Sequence, residues 1–149
     1  FTAPQLQAQL DRKFPRDYKK LGGLLNFSLM NPRLSLPPGG RLHLDFDIGM
    51  GGPGSARTPS GHFSVESGLR FDPGTRGLHM DQPQIVAVDV PALGGVMNDG
   101  ARNMLNSWLL DYAREEPVYR LDDSTVGRMA SRRIERVDID PGLITIRLD

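Results

Sequence analysis

Between Leu24 and Val90 the hydrophobic residues recur at every second position, run after run, with a turn signal between runs. That spacing is the period of a strand with one buried face. Several such runs in succession commit the chain to an antiparallel sheet. The clearest run places Leu42, Leu44, Phe46 and Ile48 on one side and Arg41, His43, Asp45 and Asp47 on the other. Before it, Leu25, Phe27 and Leu29 alternate with Asn26 and Ser28, and Leu34 and Leu36 resume after Asn31-Pro32. After it, Phe63, Val65, Leu69 and Phe71 alternate with Ser64, Glu66 and Arg70. A fourth run from about Gly77 to Val90 is expected to break near Pro83, with Val86, Val88 and Val90 again at period two. Pro37-Pro38-Gly39-Gly40, the Gly49–Gly61 stretch and Asp72-Pro73-Gly74 supply the turns.

Helical spacing brackets this block. Thr2 can cap a short helix with Pro4 in its first turn, where a missing N–H costs little. Leu6, Leu10 and Phe14 then form one stripe, with Ala3 below them, and Pro15 stops it. The charged residues Asp11, Arg12, Lys13, Arg16, Asp17, Lys19 and Lys20 cover its end and the exit loop. Beyond Pro91, with Asn98 or Asp99 as cap, Met97, Ala101, Met104, Leu105, Trp108 and Tyr112 fall at three- and four-residue steps. Pro117 ends that helix, Val118–Leu121 reads as extended, and Ser124–Arg133 as a small helix. The chain closes on a hairpin whose turn is Asp140-Pro141-Gly142, with glycine supplying the positive φ of a type II turn. The expected fold is one α+β domain over residues 1–149. Its order is helix, four-stranded meander, long helix, small helix and hairpin, with a strongly curved antiparallel sheet wrapped around the helices.

Composition narrows the function classes. Lys+Arg and Asp+Glu are both 18 in 149 residues, so there is no basic excess for nucleic acid and no polybasic patch for a membrane surface. Cysteine is absent, which removes disulfides, thiol catalysis and Cys-ligated metal from the residues given. His43, Asp45 and Asp47 are of metal-ligating type, but alternate strand residues stand roughly 7 Å apart, too far for three to share an ion. Gly49–Gly54 has the glycine density of a phosphate loop, yet a strand follows it where a phosphate loop opens a helix. No Gly-x-Ser-x-Gly elbow occurs, and Glu115-Glu116 close a helix without a cleft to separate their acidities. A non-enzymatic protein with no cofactor is expected. The chain opens at Phe1 without a signal-like segment, as a mature or trimmed chain would.

The apolar surface between the helices and the sheet has two readings. One is an ordinary filled core. The other is an elongated cavity for an apolar molecule, favoured by the adaptable Met97 and Met104 on the long helix.

The segment Leu105–Leu121, LNSWLLDYAREEPVYRL, resembles the long helix, proline and Tyr-containing strand of the YceB-like bacterial lipoproteins. The closing VDIDPGLITIRLD and the opening Phe1-Thr2 with its short amphipathic helix are similar to that family as well. The resemblance implies half of a tubular lipid-binding module, with a curved sheet around a long helix. It also implies a periplasmic protein, tethered to a membrane through a lipidated N-terminal cysteine that this sequence does not contain; a monomer is expected. The expected partner is then a lipid or other hydrophobic small molecule, and not nucleic acid. The expected lining is Leu6, Leu10 and Phe14 from the first helix and Phe46, Ile48, Phe63 and Val65 from the sheet. Met97, Ala101, Met104, Leu105 and Trp108 of the long helix complete it. The rival expectation is a filled-core envelope scaffold that acts through the Gly49–Gly61 loop or a strand edge.

Overall fold

The computed structural model describes residues 1–20, 25–50, 61–89, 94–129 and 134–148. The expected loop at 51–60, Val90, Pro91 and positions 130–133 of the expected small helix lie outside the described residues. In chain order the elements are α1 (Ala3–Lys13), β1 (Arg16–Lys20), β2 (Leu25–Ser35), β3 (Leu42–Met50), β4 (Gly61–Asp72), β5 (Gly77–Asp89), α2 (Gly94–Glu115), β6 (Tyr119–Arg120), α3 (Asp123–Met129), β7 (Ile134–Asp140) and β8 (Leu143–Leu148). The fold is α+β, as the spacing predicts. β1 to β6 form one antiparallel sheet in sequential order, and β7 and β8 form a second, two-stranded one.

Two features of the expected sheet need correction. It has six strands rather than four, because Arg16–Lys20 pairs with β2 instead of forming an exit loop, and Tyr119–Arg120 pairs with Gly77 and Leu78. It is also not strongly curled. β1 and β6 are its two ends, and the C-terminal hairpin makes its own sheet rather than carrying the first one round the helices. A sheet with one apolar face needs a cover on that face, which two helices laid across it provide without closure.

The inner face is the expected one: Leu42, Leu44, Phe46 and Ile48 of β3 and Phe63, Val65 and Leu69 of β4 are buried. The row has one polar member, Ser67, whose hydroxyl donates to the carbonyls of Gly68 (2.7 Å) and Asp81 (3.2 Å). β5 is continuous through Pro83, and two register shifts against β4 absorb the irregularity. The shift between Ile85 and Ala87 makes Val86 the extra residue of a bulge. Ile85 and Val88 therefore pack on the core while Val86 is 54% exposed, not aligned with Val88 as strict alternation predicts.

α1 buries Leu6 and Leu10, and Phe14 follows at its end. Its N-terminus is closed by Gln5, whose Oε1 accepts the Thr2 N–H at 2.7 Å. Two further glutamines hold the helix on the sheet by pairing with backbone as a strand would. Gln9 donates to the Arg120 carbonyl and accepts its N–H, both at 2.8 Å. Gln7 accepts the Leu34 N–H at 2.8 Å and donates to the Pro32 carbonyl at 2.6 Å, beside the bulge that follows Met30. α2 begins at Gly94, before the expected caps Asn98 and Asp99. It buries Leu105, Trp108, Leu109 and Tyr112, spaced i, i+3, i+4, i+7. The chain ends are tied together: the Phe1 amine donates to the Ile144 carbonyl and the Ile144 N–H donates to the Phe1 carbonyl, each at 2.7 Å. Gly142 has φ +74°, as the Pro-Gly turn requires.

Candidate functional site

Seven aromatic side chains meet where α1, α2 and the sheet converge. Trp108 makes edge contacts with Phe46 and Phe63 (ring centroids 5.9 Å for each) and with Tyr18 (5.7 Å). Tyr112 lies 5.2 Å from Trp108 and 6.3 Å from Phe14, which in turn is 4.9 Å from Phe46. Tyr18 stacks on Phe27 at 5.1 Å. Aromatic pairs at these separations add to the burial of apolar area.

The expected lining falls here for the most part. Leu6, Leu10, Phe14, Phe46, Ile48, Phe63, Val65, Leu105 and Trp108 all belong to one buried cluster, and Met104 is half-buried against it. Met97 and Ala101 lie on the first turns of α2, and their side chains are outside the described residues. Sequence reasoning missed Tyr18, hidden among charges in Arg16–Lys20, and passed over Tyr112 as a lining residue although it continues the α2 stripe. A lone aromatic between charged residues at strand spacing was the available signal.

Those two tyrosines carry the unusual chemistry. Both phenolic oxygens are buried without a hydrogen-bond partner among the described residues. Burial raises the Tyr112 pKa strongly, and the charge of Glu116 and the neighbouring Tyr18 push the same way, against Arg16. Burial raises Tyr18 too, opposed by the Trp108 indole N–H and by Arg16. The indole N–H is directed at the Tyr18 oxygen as a donor, short of full hydrogen-bond geometry, so Tyr112 is the more isolated of the two hydroxyls. The Arg16 guanidinium donates to both oxygens of Glu116 (2.9 and 3.0 Å) and sits over the Tyr18 ring, 5.6 Å from its centre.

The other polar groups singled out in the sequence are accounted for locally. On the outer face of the sheet, Asp47 binds Asn31, Arg33 and His62, Asp45 binds Ser64, and His43 pairs with Glu66. No group of three metal-ligating side chains converges among the described residues. His79 is fully buried apart from these. Its Nδ1 donates to the Ala113 carbonyl (2.9 Å), leaving Nε2 to accept from the Thr75 hydroxyl (2.6 Å), so it latches the end of α2 to the sheet. An open groove of about 640 Å³ runs between α1 and the α2–α3 connection. It is lined by charged side chains including Arg12, Lys13, Glu115 and Arg120.

No known family model matches the chain, and no curated protein matches it.

Proposed function

We propose that the protein is a non-enzymatic binder of a lipid or other hydrophobic molecule, taken up between α2 and the apolar face of the sheet around Trp108. The observation that carries this reading is the pair of phenol hydroxyls in the aromatic cluster, Tyr112 above all, that close no hydrogen bond among the described residues. A core built purely for packing has no use for two buried donors, since phenylalanine would fill the space without the desolvation penalty. A ligand with an apolar body and one polar group would satisfy them. Met104, adaptable and half-buried, borders the cluster, and α2 is the element that would shift to admit a chain. An apolar segment of about eight carbons contributes on the order of 6 kcal/mol by burial before immobilisation is subtracted. The resemblance to the YceB-like lipoproteins adds a place: the periplasmic side of a membrane, with a tether through an N-terminal lipid.

A second reading, a scaffold acting through its surface, is favoured by how closely the same rings pack on one another. Its surface would be the outer edge of β5, which β6 pairs only at Gly77 and Leu78. That edge is blunted by Pro83 and two bulges, devices that discourage strand addition, so it is the weaker reading. Trp108 is the single tryptophan of the chain and reports on the site directly. Titration with a fluorescent acyl probe is expected to give saturable energy transfer from Trp108, and native mass spectrometry without detergent a discrete bound mass. A folded protein that gives neither hands the lead to the surface reading.

A further inference from the structure

Granting the hydrophobic-ligand reading on which this rests, the chemistry around the two phenols selects among ligand classes. The free fatty acid is the obvious candidate, because an arginine stands at the site. Yet both of the Glu116 carboxylate oxygens accept from the Arg16 guanidinium at 2.9 and 3.0 Å, so the arginine is already matched by an acid. A ligand carboxylate placed at the phenols would meet Glu116 within electrostatic reach of Tyr112. To be neutralised it would have to share the single Arg16 charge with that acid, setting two carboxylates against one guanidinium, and the second like charge disfavours the ionised form. Nothing of this kind opposes a neutral acceptor. The hydroxyl of Tyr112, a residue 4% exposed, needs an oxygen that accepts a hydrogen bond, and an uncharged carbonyl supplies one without adding charge among the rings.

We infer that the ligand is a neutral acylated molecule whose ester or amide carbonyl accepts from the Tyr112 hydroxyl, within the field of the Arg16–Glu116 pair, with Tyr18 as the second donor and the acyl chain along Trp108. The charged pair then acts as a filter that disfavours the free acid rather than as its receptor.

The test is a competition titration of wild type, Tyr112→Phe and Tyr18→Phe with a chain-matched pair, palmitic acid and its glycerol monoester, each displacing the same fluorescent acyl probe. The neutral ester is expected to bind at least tenfold more tightly than the acid to wild type. Tyr112→Phe is expected to weaken the ester about fivefold to tenfold while leaving the acid unchanged. An acid that binds as well as the ester, or ester affinity untouched by both substitutions, overturns the headgroup assignment while the hydrophobic-ligand reading stands. If the probe binds but neither compound displaces it, the headgroup assignment falls alone; if the probe itself does not bind, both fall.

Discussion

Replacing Tyr112 by phenylalanine is expected to stabilise the ligand-free protein, an unusual outcome for a change in the middle of a core. The side chain is 4% exposed and its hydroxyl meets no partner among the described residues, so the folded state carries the desolvation of that group with no hydrogen bond in return. A buried donor left in this way costs about 1–3 kcal/mol. Phenylalanine removes it and keeps the ring contacts to Trp108 and Phe14. Against this stands the dispersion lost by the missing oxygen, a few contacts of about 0.1–0.2 kcal/mol each. The balance is a gain of about 1 kcal/mol, which for a domain of this size raises Tm by roughly 3 °C. Urea and thermal unfolding, followed by Trp108 emission and by far-UV circular dichroism, measure it. Tyr119→Phe serves as the control, because that hydroxyl is not among the buried unpartnered ones. Stabilisation of the Tyr112 variant alone supports the reasoning. A loss of about 1 kcal/mol or more would mean that an ordered water completes the hydroxyl in the folded protein, and the case for a ligand carbonyl would go with it.

The same phenols set a pH dependence at the alkaline end. Unfolded chain releases tyrosine protons near pH 10, whereas burial makes the folded protein hold those of Tyr112 and Tyr18 to higher pH. The folded state then binds more protons. Stability fully present below about pH 10 is lost as pH rises toward the folded pKa values, and denaturant midpoints from pH 8 to 11.5 should fall more gently in Tyr112→Phe. Two glycines give opposite signs. A Cβ on Gly77 would lie 2.5 Å from Pro117 Cβ and 2.9 Å from the Tyr119 carbonyl oxygen, so Gly77→Ala should cost about 2–3 kcal/mol. Gly127, within α3, meets nothing within 4 Å, and Gly127→Ala should gain up to about 1 kcal/mol, read as a shift in urea midpoint.

What could be read from the sequence was whatever a period encodes. The strand face of Leu42, Leu44, Phe46 and Ile48 and the helix stripe of Leu6, Leu10 and Phe14 each repeat a burial pattern that local geometry makes obligatory. What escaped lies where the period slips or where polar groups carry the structure. The bulge at Val86 reverses which residues of β5 face inward, and Asn31 and Gln82, each at φ near +50°, accompany the other shifts. In the β4–β5 turn, Asp72-Pro73-Gly74 advertises glycine, yet the positive φ falls on Arg76. β1 offers one hydrophobic residue among four charged ones, so alternation had too little to work on. Sheet curvature depends on how these irregularities add across six strands, which no single window contains.

Polar residues show the same limit more sharply. Gln7 and Gln9 fall outside any apolar stripe, yet each bonds a backbone N–H and a carbonyl, fixing α1 at two edges of the sheet. Phe14 and Arg16 follow directly from that helix, so its anchorage places the ring against Phe46 and the guanidinium over Tyr18. The candidate site is therefore positioned by glutamine side chains that hydrophobic periodicity cannot see, and the residues that distinguish it from an ordinary core, Tyr18 and Tyr112, differ from phenylalanine by one oxygen each. Periodicity identifies where such residues go and says nothing about that oxygen. The unpartnered hydroxyls become visible only once the surrounding donors and acceptors are all assigned.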